Sequence, residues 1–262
     1  MTVPPYLVEA LQAILAEVMP VPMRRFRQPL PVEAKADESP VTVADRETET
    51  AIRDAIAARF PDHGIFGEEF GGPARAGEWL WVIDPIDGTK SFVSGNPLWG
   101  ILVGLLHRDR PILGAVAIPA LGHVAWGAPQ LGARLDGRAV SVRSCPDPAG
   151  AFVLCNELRR ILAADPAVPE ALGGAVRYLR EASDCFSYVQ LAAGWVDGVV
   201  DHGLEPYDFL PVLPLVEAAG GVMTDWQGRP LSFESDGRVV AGSPEVHAHL
   251  LNVISATGAA GD

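Results

Sequence analysis

The spacing of apolar residues predicts helices near the start of the chain. Apolar side chains recur every three or four positions between residues 7 and 18, which predicts an amphipathic helix that ends near Pro20. A second helix is predicted to open at Asp45, because acidic residues favour the first turn of a helix and Ile52 and Ile56 then share one face. Both helices are expected to pack their apolar faces against a core.

Most of the apolar segments that follow are short and rich in bulky and β-branched residues, as is typical of strands. Strands predicted at 64–67 and 79–83 both end at acidic residues. Turn signals then separate a series of further strands. Their spacing predicts an antiparallel meander at 98–107, 112–118, 123–126 and 139–142.

Two prolines and a glycine within residues 145–150 indicate a linker, so we predict a boundary between a first half, 1–145, and a second half, 146–262. Beyond the linker, strands alternate with helices, which is typical of an α/β chain. The predicted strands lie at 151–155, 175–179, 195–200, 222–225 and 239–241, and the predicted helices at 157–163, at 185–193, at 206–217 with a proline kink, and from 244 onwards.

Length and composition limit the class of protein. With 262 residues and 48% hydrophobic content, the chain can form one large or two closely joined globular domains. The first residues lack a basic segment followed by a long apolar run, and each apolar run is shorter than the roughly 18 residues of a membrane span. We therefore expect a cytoplasmic protein with no membrane partner.

The charge and the cysteines exclude further classes. The 33 acidic and 20 basic residues give a net charge of −13, which disfavours nucleic acid as a partner, so an anionic substrate would require local positive charge. The three cysteines, Cys145, Cys155 and Cys185, lack the spacing of a zinc site or a disulfide framework, and we predict that they are small buried residues. His247 and His249 are predicted to be solvated.

The most informative motif is Asp-Pro-Ile-Asp-Gly-Thr, which begins at the end of an apolar strand. Asp84 and Asp87 stand at a turn, since Pro85 cannot continue the strand ladder and Gly88 allows the chain to reverse. Two like charges at one turn require a counter-charge, which a hard divalent cation bound through oxygen supplies. Backbone N–H groups of Gly88 and Thr89, at a predicted helix start, suit a phosphate. The alternative is a solvated turn in which Asp87 caps a helix.

Two further acidic residues have both a functional and an ordinary interpretation. Glu68 follows the strand at 64–67, and if that strand neighbours the next one, Glu68 and Asp84 converge at one sheet edge and can share a cation. Otherwise Glu68 belongs to an exposed acidic turn. Asp208 precedes a predicted helix, so it either caps that helix or faces Asp84 and Asp87 across a cleft between the halves.

Three blocks occur in one order along the chain: Gly67-Glu68-Glu69, the run from Trp81 to Thr89, and Tyr207-Asp208 followed by Glu217 to Gly221. In order and approximate spacing they resemble the inositol monophosphatase family of magnesium-dependent, lithium-sensitive phosphatases, although Leu210 and Pro211 differ from the small residues common there. The resemblance covers nearly the whole chain. It implies a layered αβαβα sugar-phosphatase fold of the α/β (α+β) class, with two closely packed halves, an active site between them and commonly a homodimer.

The resemblance also implies a ligand set for metal ions. Glu68, Asp84 and the Ile86 carbonyl look like ligands of a first Mg²⁺, while Asp84, Asp87 and Asp208 look like ligands of a second. Two or three Mg²⁺ ions are therefore expected, with Mn²⁺ as a substitute. In such a site one cation activates a water and the other stabilises the leaving oxygen of a small phosphate monoester.

Further roles follow from the same resemblance. Asp45 corresponds to a residue just outside the metals. Thr89, paired with Glu68, is expected to orient the attacking water, and the N–H groups of Gly88 and Thr89 to hold phosphate oxygens. Glu68, Thr89 and Asp45 are thus the predicted catalytic residues. Lys35 either reaches the site from its loop or is a solvated lysine.

Within the family, segments around Thr89, 183–188, 203–208 and 221–226 look most like bacterial histidinol-phosphate phosphatases, enzymes of histidine biosynthesis. Histidinol carries an amine and an imidazole, so acidic residues would favour it as a leaving group. The predicted contacts are Asp184, Asp201 and Glu205, each of which could instead be a surface charge. The alternatives are inositol 1-phosphate, adenosine 3′,5′-bisphosphate and a catalytically silent regulatory relative, whereas the spacing disfavours a calcium-binding loop.

Overall fold

The computed structural model describes residues 3–29, 31–34, 40–73, 77–182 and 184–258. Its helices are α1 (Pro5–Val18), α2 (Pro20–Met23), α3 (Val43–Arg59), α4 (Thr89–Ser94), α5 (Leu158–Ala164), α6 (Ala167–Ala175), α7 (Phe186–Ala192), α8 (Pro206–Phe209), α9 (Leu213–Ala218) and α10 (Pro244–Ala256). Its strands are β1 (Glu33–Ala34), β2 (Pro40–Val41), β3 (Gly64–Gly67), β4 (Trp79–Asp87), β5 (Gly100–His107), β6 (Arg110–Ile118), β7 (His123–Ala128), β8 (Gly132–Leu135), β9 (Arg138–Val140), β10 (Phe152–Cys155), β11 (Tyr178–Glu181), β12 (Gly198–Asp201), β13 (Val222–Asp225) and β14 (Val239–Gly242).

Seven strands form the first large sheet, in the order β3-β4-β5-β6-β7-β8-β9. β3 pairs parallel with β4, and each later pair is antiparallel, which confirms the predicted meander. The sequence pattern does not predict β8, because none of its four residues is β-branched or aromatic.

Five strands form the second large sheet, in the order β11-β10-β12-β14-β13. β10 runs parallel to both of its neighbours, whereas β14 runs antiparallel to β12 and β13. The predicted boundary at residue 145 falls between β9 and β10, so each sheet is formed by one of the two predicted halves.

The helices pack in three layers around the two sheets. α1 and α3 cover the first sheet, where Ile52 and Trp81 are buried in one apolar cluster. α7 and α9 lie between the sheets, in a second cluster that includes Leu102 and Leu215. α6 and α10 cover the far face of the second sheet, where Leu250 is buried. This order confirms the predicted αβαβα fold.

The first two helices form a long apolar stretch. Pro5–Met23 has 19 residues, and by length and composition alone it is long and apolar enough to cross a membrane. Glu9, Gln12 and Glu17 interrupt this stretch, so it contains no uninterrupted apolar run of about 18 residues. Leu7, Leu11 and Ile14 are fully buried in the same cluster as α3, which accounts for the composition.

A groove of glycines seats the segment that follows α8. Gly104 lies opposite Gly114, which lies opposite Gly127, across three neighbouring strands of the first sheet. A Cβ at Gly104 would lie 2.7 Å from Cα of Pro211, and one at Gly127 would lie 2.7 Å from Cα of Leu215. Because any side chain at these positions would push the segment away, the glycines fix the distance between the segment and the sheet.

Prolines divide the helix that was predicted at 206–217. The structure has two short helices there, α8 and α9, instead of one kinked helix. Pro211 and Pro214 each lack the N–H that a continuous helix would use, which explains the break.

The strand predicted at 175–179 starts too early. α6 continues to Ala175, and β11 begins only at Tyr178. Leu172 and Val176 are four residues apart and pack into the cluster beneath α10, so the apolar pattern belongs to the end of a helix.

The cysteine and histidine predictions hold only in part. Cys155 and Cys185 are free and buried as predicted, but Cys145 is half-exposed. The prediction of a solvated His247 is wrong, since its ring is 6% exposed and its Nε2 lies 2.9 Å from a threonine hydroxyl of β13. Burial lowers the pKa of this histidine. His249 is half-buried, with its Nε2 3.0 Å from the last carbonyl oxygen of α6, because α10 packs against both α6 and β13.

Candidate functional site

The ends of β3 and β4 bring two acidic residues together. The strands pair in parallel with Gly67 opposite Ile83, and the backbone N–H of Glu68 donates to the Ile83 carbonyl at 3.3 Å. Glu68 therefore lies beside Asp84, as the sequence predicts for neighbouring strands. Asp84 is 2% exposed and accepts a 2.9 Å hydrogen bond from the Ile86 N–H, which fixes its carboxylate at an irregularity in the strand.

Asp208 reaches the same place from the second half of the chain. Carboxylate oxygens of Asp84, Asp87 and Asp208 all lie within 4.8 Å of one another. Asp208 also accepts a 2.7 Å hydrogen bond from the N–H of Glu205, which opens α8. The helix-cap interpretation and the carboxylate-cluster interpretation of Asp208 are thus both correct.

The electrostatics of this cluster call for positive charge. Burial, together with the nearby charges of Glu68 and Asp87, raises the pKa of Asp84 well above its usual value. Burial raises the pKa of Asp87 to about 8, with Asp184 adding to the effect, and burial and Asp87 raise the pKa of Asp208. Buried oxygens held this close fit a hard divalent cation, which takes oxygen ligands and would keep all of the carboxylates ionised.

Thr89 is held from the side of α3. Its hydroxyl lies 3.2 Å from both the Asp45 carboxylate and the Ile86 carbonyl oxygen. The other oxygen of Asp45 accepts hydrogen bonds from the N–H and the hydroxyl of Thr42, at 2.8 and 2.6 Å. Asp45 is fully buried, and burial raises its pKa against the opposing effect of Thr42. Asp45 is therefore both a capping residue of α3 and a positioning contact for Thr89.

Asp184 lies directly against the turn that opens α4. Its carboxylate accepts a 2.6 Å hydrogen bond from the Ser91 hydroxyl, and the next N–H, of Cys185, donates to Asp87 at 2.5 Å. Gly88 begins the turn in the left-handed region, at a φ of 83°. The predicted phosphate-binding turn and a predicted leaving-group contact are thus neighbours.

Asp201 and Glu205 occupy different depths of the cleft. Asp201 is 2% exposed, and its carboxylate accepts hydrogen bonds from Asn156, Tyr188 and the N–H of His202. Glu205 is exposed, at the start of α8. Contact between either residue and a substrate remains a prediction.

Most of these residues line one cleft, with a volume of about 210 Å³, between the two halves. The carboxylates that line it are Glu68, Asp84, Asp87, Glu157, Asp184, Asp201, Glu205 and Asp208. Its basic side chains are Lys90 and Arg160, which lie 3.0 and 3.6 Å from the Glu157 carboxylate. Lys35 lies outside the described residues.

Several polar residues of this cleft are not predicted from the sequence, among them Asn156, Tyr188 and Glu157. Asn156 directly follows β10, just as Glu68 follows β3, and position after a strand was the available signal. Tyr188 lies in a segment that resembles histidinol-phosphate phosphatases, but a tyrosine at this position does not by itself indicate a chemical role. Glu157, two residues after the end of β10, has a left-handed φ of 46°, which no sequence pattern reveals.

Comparison with known proteins agrees with this architecture. Residues 5–258 match the inositol monophosphatase family. A chloroplastic bifunctional phosphatase of Arabidopsis thaliana is 37% identical over 225 residues, which cover 85% of this chain and 65% of that protein, slightly less than two-thirds of its length. A histidinol-phosphatase of Chlorobaculum parvum is 36% identical over 233 residues, which cover 88% of each protein.

A solved structure extends the similarity to the fold. An inositol monophosphatase from Zymomonas mobilis matches with a TM-score of 0.86 at 32% identity, over 97% of this chain and 100% of that one. The family match spans nearly all of the sequence, and the acidic cleft lies between two sheets with the expected layers. The chain therefore belongs to the inositol monophosphatase family of phosphatases.

Proposed function

We propose that this protein is a Mg²⁺-dependent phosphatase that hydrolyses L-histidinol phosphate to L-histidinol and phosphate. The observation that carries the proposal is the distribution of charge in the cleft. Acidic residues outnumber basic ones both at the carboxylate cluster and among the other residues of the cleft, which would receive a leaving group. The relatives include a histidinol-phosphatase that this chain matches over 88% of its length.

We assign the part of the cleft that contains the carboxylate cluster to the binding of metal and phosphate. Glu68, Asp84, Asp87, Asp208 and the Ile86 carbonyl would hold Mg²⁺, which supplies Lewis acidity for the attack of water on the phosphate ester. Two such ions carry four positive charges, as many as the four carboxylates carry negative ones.

The residues of the chain then provide orientation at this end. The Thr89 hydroxyl, fixed by Asp45, would align the attacking water. The N–H groups of Gly88 and Thr89 would donate to the phosphate oxygens, which leaves the specificity of the enzyme to contacts with the leaving group.

The rest of the cleft, which we call the leaving-group end, favours a cationic leaving group. Four carboxylates, those of Glu157, Asp184, Asp201 and Glu205, face two basic side chains, those of Lys90 and Arg160. Both basic side chains already pair with Glu157, so the uncompensated charge at this end is negative. Histidinol carries an ammonium group that this charge would attract, and a charge-assisted hydrogen bond is stronger than a neutral one.

Inositol 1-phosphate is the second candidate, because the solved relative is an inositol monophosphatase. Its neutral hydroxyls would require groups that both donate and accept hydrogen bonds. The hydroxyl of Tyr188 and the amide of Asn156 lie in the cleft, but they already donate to Asp201. Adenosine 3′,5′-bisphosphate is less favoured, because the basic side chains for a second phosphate are paired with Glu157.

A substrate panel tests the proposal. Phosphate release is measured from L-histidinol phosphate, inositol 1-phosphate and adenosine 3′,5′-bisphosphate, with Mg²⁺, with Mn²⁺ and with a chelator. We expect the highest kcat/KM with histidinol phosphate, no turnover with the chelator, and none for Asp84→Asn with Mg²⁺. Normal turnover by the chelated enzyme or by Asp84→Asn would overturn the metal assignment. A higher kcat/KM on either other substrate would overturn the substrate assignment.

A further inference from the structure

Asn156 joins two acids at the leaving-group end of the cleft, Asp184 and the buried Asp201. Its side-chain N–H₂ donates to the Asp201 carboxylate at 2.7 Å and to the Ser187 hydroxyl oxygen at 2.8 Å. Asn156, Ser187 and Asp201 are each at most 2% exposed. Ser187 in turn donates its own proton to the backbone carbonyl of Asp184, at 2.8 Å. One amide therefore links the positions of Asp184 and Asp201.

The hydrogen-bond pattern fixes the orientation of this amide. Because the Ser187 hydroxyl gives its proton to a carbonyl, its oxygen must accept from Asn156. The Asp201 oxygen also accepts, so both amide hydrogens of Asn156 are used. A flipped amide would place its oxygen against two acceptors. The buried amide oxygen has no hydrogen-bond partner among the residues that the structure describes, which shows that the donor side determines the orientation.

The pKa of the Asp201 carboxyl depends on the groups that donate hydrogen bonds to it. Burial raises the pKa of its carboxyl to about 7, and the hydrogen bond from Asn156 is the strongest of the effects that lower it. The His202 N–H at 2.9 Å and the Tyr188 hydroxyl at 3.0 Å act in the same direction, while the charge of Glu157 opposes them. Loss of the Asn156 donor would therefore favour the protonated, neutral form.

Other titratable groups face Asp201 from the neighbouring elements. Asp87 on β4 and Cys155 on β10 both interact with its charge, in addition to the groups above. Any measurement of the ionisation of Asp201 must therefore compare variants at the same state of the metal site. The comparison of two substrates on one enzyme removes effects that act on the metal-binding carboxylates alone.

We propose that Asn156 is a positioning residue for substrate specificity, which holds the Asp201 carboxylate in place and charged so that the cleft selects a cationic leaving group. The inference rests on the proposed function, since it assigns a cause to the preference for histidinol phosphate. Asn156 acts through Asp201 and needs no contact with the substrate. Its effect should therefore depend on the charge of the substrate and on pH.

The test compares three variants on two substrates. Asn156→Ala removes the donor, Tyr188→Phe removes a second donor to the same carboxylate without a cavity, and Ser187→Ala is the control that leaves all three donors to Asp201. At neutral pH, Asn156→Ala should lower kcat/KM for L-histidinol phosphate roughly tenfold, the order of one charge-assisted hydrogen bond. The kcat/KM for inositol 1-phosphate should change by less than about threefold. The loss should diminish as the pH is raised, because Asp201 ionises again.

Equal losses on both substrates at every pH would overturn the inference, since a purely structural role would act on both alike. Tyr188→Phe should give the same charge-selective loss, and it decides the question if Asn156→Ala does not fold. Ser187→Ala should keep the wild-type ratio of the two kcat/KM values. If Ser187→Ala lowered this ratio as much as Asn156→Ala, the inference would also be contradicted.

A direct measurement separates this inference from the proposed function. The pH titration of the Asp201 carboxyl carbon, followed by ¹³C NMR with Asp201→Asn for assignment, should show a higher midpoint in Asn156→Ala than in the wild type. An unchanged midpoint would overturn the role of Asn156 even if histidinol phosphate is the substrate. A preference of the wild type for inositol 1-phosphate would overturn the proposed function, while the midpoints would still decide whether Asn156 controls Asp201.

Discussion

Gly88 and Asp184 approach each other so closely that a Cβ on Gly88 would lie 2.5 Å from the carboxyl carbon of Asp184. Gly88 also has a φ of 83°, which other residues adopt only with strain. We therefore expect Gly88→Ala to displace either the phosphate-binding turn or Asp184. The variant should lose at least about 100-fold in kcat/KM, since small misplacements of a reacting group have effects of this order. Steady-state kinetics checks this. Gly122→Ala, where a Cβ meets nothing within 4 Å, is the matched control for left-handed strain and should stay active.

The hydroxyl of Thr89 is predicted to act mainly in the transition state. Thr89→Ala should lower kcat by about 100-fold or more with little change in KM, while Thr89→Ser should retain most of the activity because it keeps the contact with Asp45. Initial-rate measurements over a range of substrate concentrations separate the two constants. A change of KM alone in Thr89→Ala would mean that the residue only binds phosphate.

Glu49 supports the loop that presents Glu68. It is fully buried, and its carboxylate accepts hydrogen bonds from the N–H groups of Glu69 and Phe70, at 2.6 and 3.2 Å, and pairs with Arg53 at 2.7 Å. Glu49→Ala should lower the free energy of unfolding by about 3–5 kcal/mol, as for other broken buried pairs. It should also weaken Mg²⁺ binding, because the loop that carries Glu68 loses its support.

Another acidic residue of the same helix supplies the control. Glu47 pairs with Arg25 at 2.8 Å in a half-exposed position, so Glu47→Gln should cost at most about 1 kcal/mol. Urea unfolding and a calorimetric Mg²⁺ isotherm measure the two effects. Equal stability and equal Mg²⁺ affinity in the two variants would show that the buried pair does not position the loop.

The raised pKa values predict how the stability of the metal-free protein depends on pH. The carboxyls of Asp87 and Asp201 have pKa values of about 8 and about 7, against an ordinary 3.8. The native state thus holds protons that the unfolded chain loses above about pH 4. The stability from these groups is full below that pH and is lost as the pH rises through 7 and 8.

Thermal melts of the metal-free protein should therefore show a Tm that falls from about pH 5 to about pH 8 and levels off at higher pH. The Tm of Asp87→Asn should fall less over the same pH range. Mg²⁺ should raise Tm more at the higher pH, because it binds the ionised carboxylates. A metal-free Tm that is constant with pH, or the same slope in Asp87→Asn, would contradict the raised pKa of Asp87.

The carboxylate cluster could be predicted from the sequence because Glu68 and Asp84 lie at the ends of strands. Glu68 and Asp84 end two segments that pair in parallel, and the ends of parallel neighbours meet at one edge. Asp208 depends on more than a local pattern, since the fold must bring α8 from the second half to the first sheet. The glycines at 104, 114 and 127 make that approach possible, and their alignment appears only when the strand register is known.

The leaving-group end could not be predicted to the same depth. Asn156 follows β10, Tyr188 lies on α7 and Asp201 ends β12. Asn156 and Tyr188 are 32 positions apart, and no sequence pattern links residues at that separation. Burial decides their chemistry. The sequence identifies Asp201 as an acid, whereas the structure shows the three donors that hydrogen-bond its carboxylate.

The most direct test of the central claim is the ratio of kcat/KM for L-histidinol phosphate to kcat/KM for inositol 1-phosphate, measured at one Mg²⁺ concentration and one slightly alkaline pH. A charge-assisted contact to the ammonium contributes about 1.5–3 kcal/mol, so the ratio should favour histidinol phosphate by roughly 10- to 100-fold. Asp201→Asn should reduce that advantage, because it removes the charge that receives the ammonium. A ratio of one or less for the wild-type enzyme would contradict the account and favour inositol 1-phosphate as the substrate.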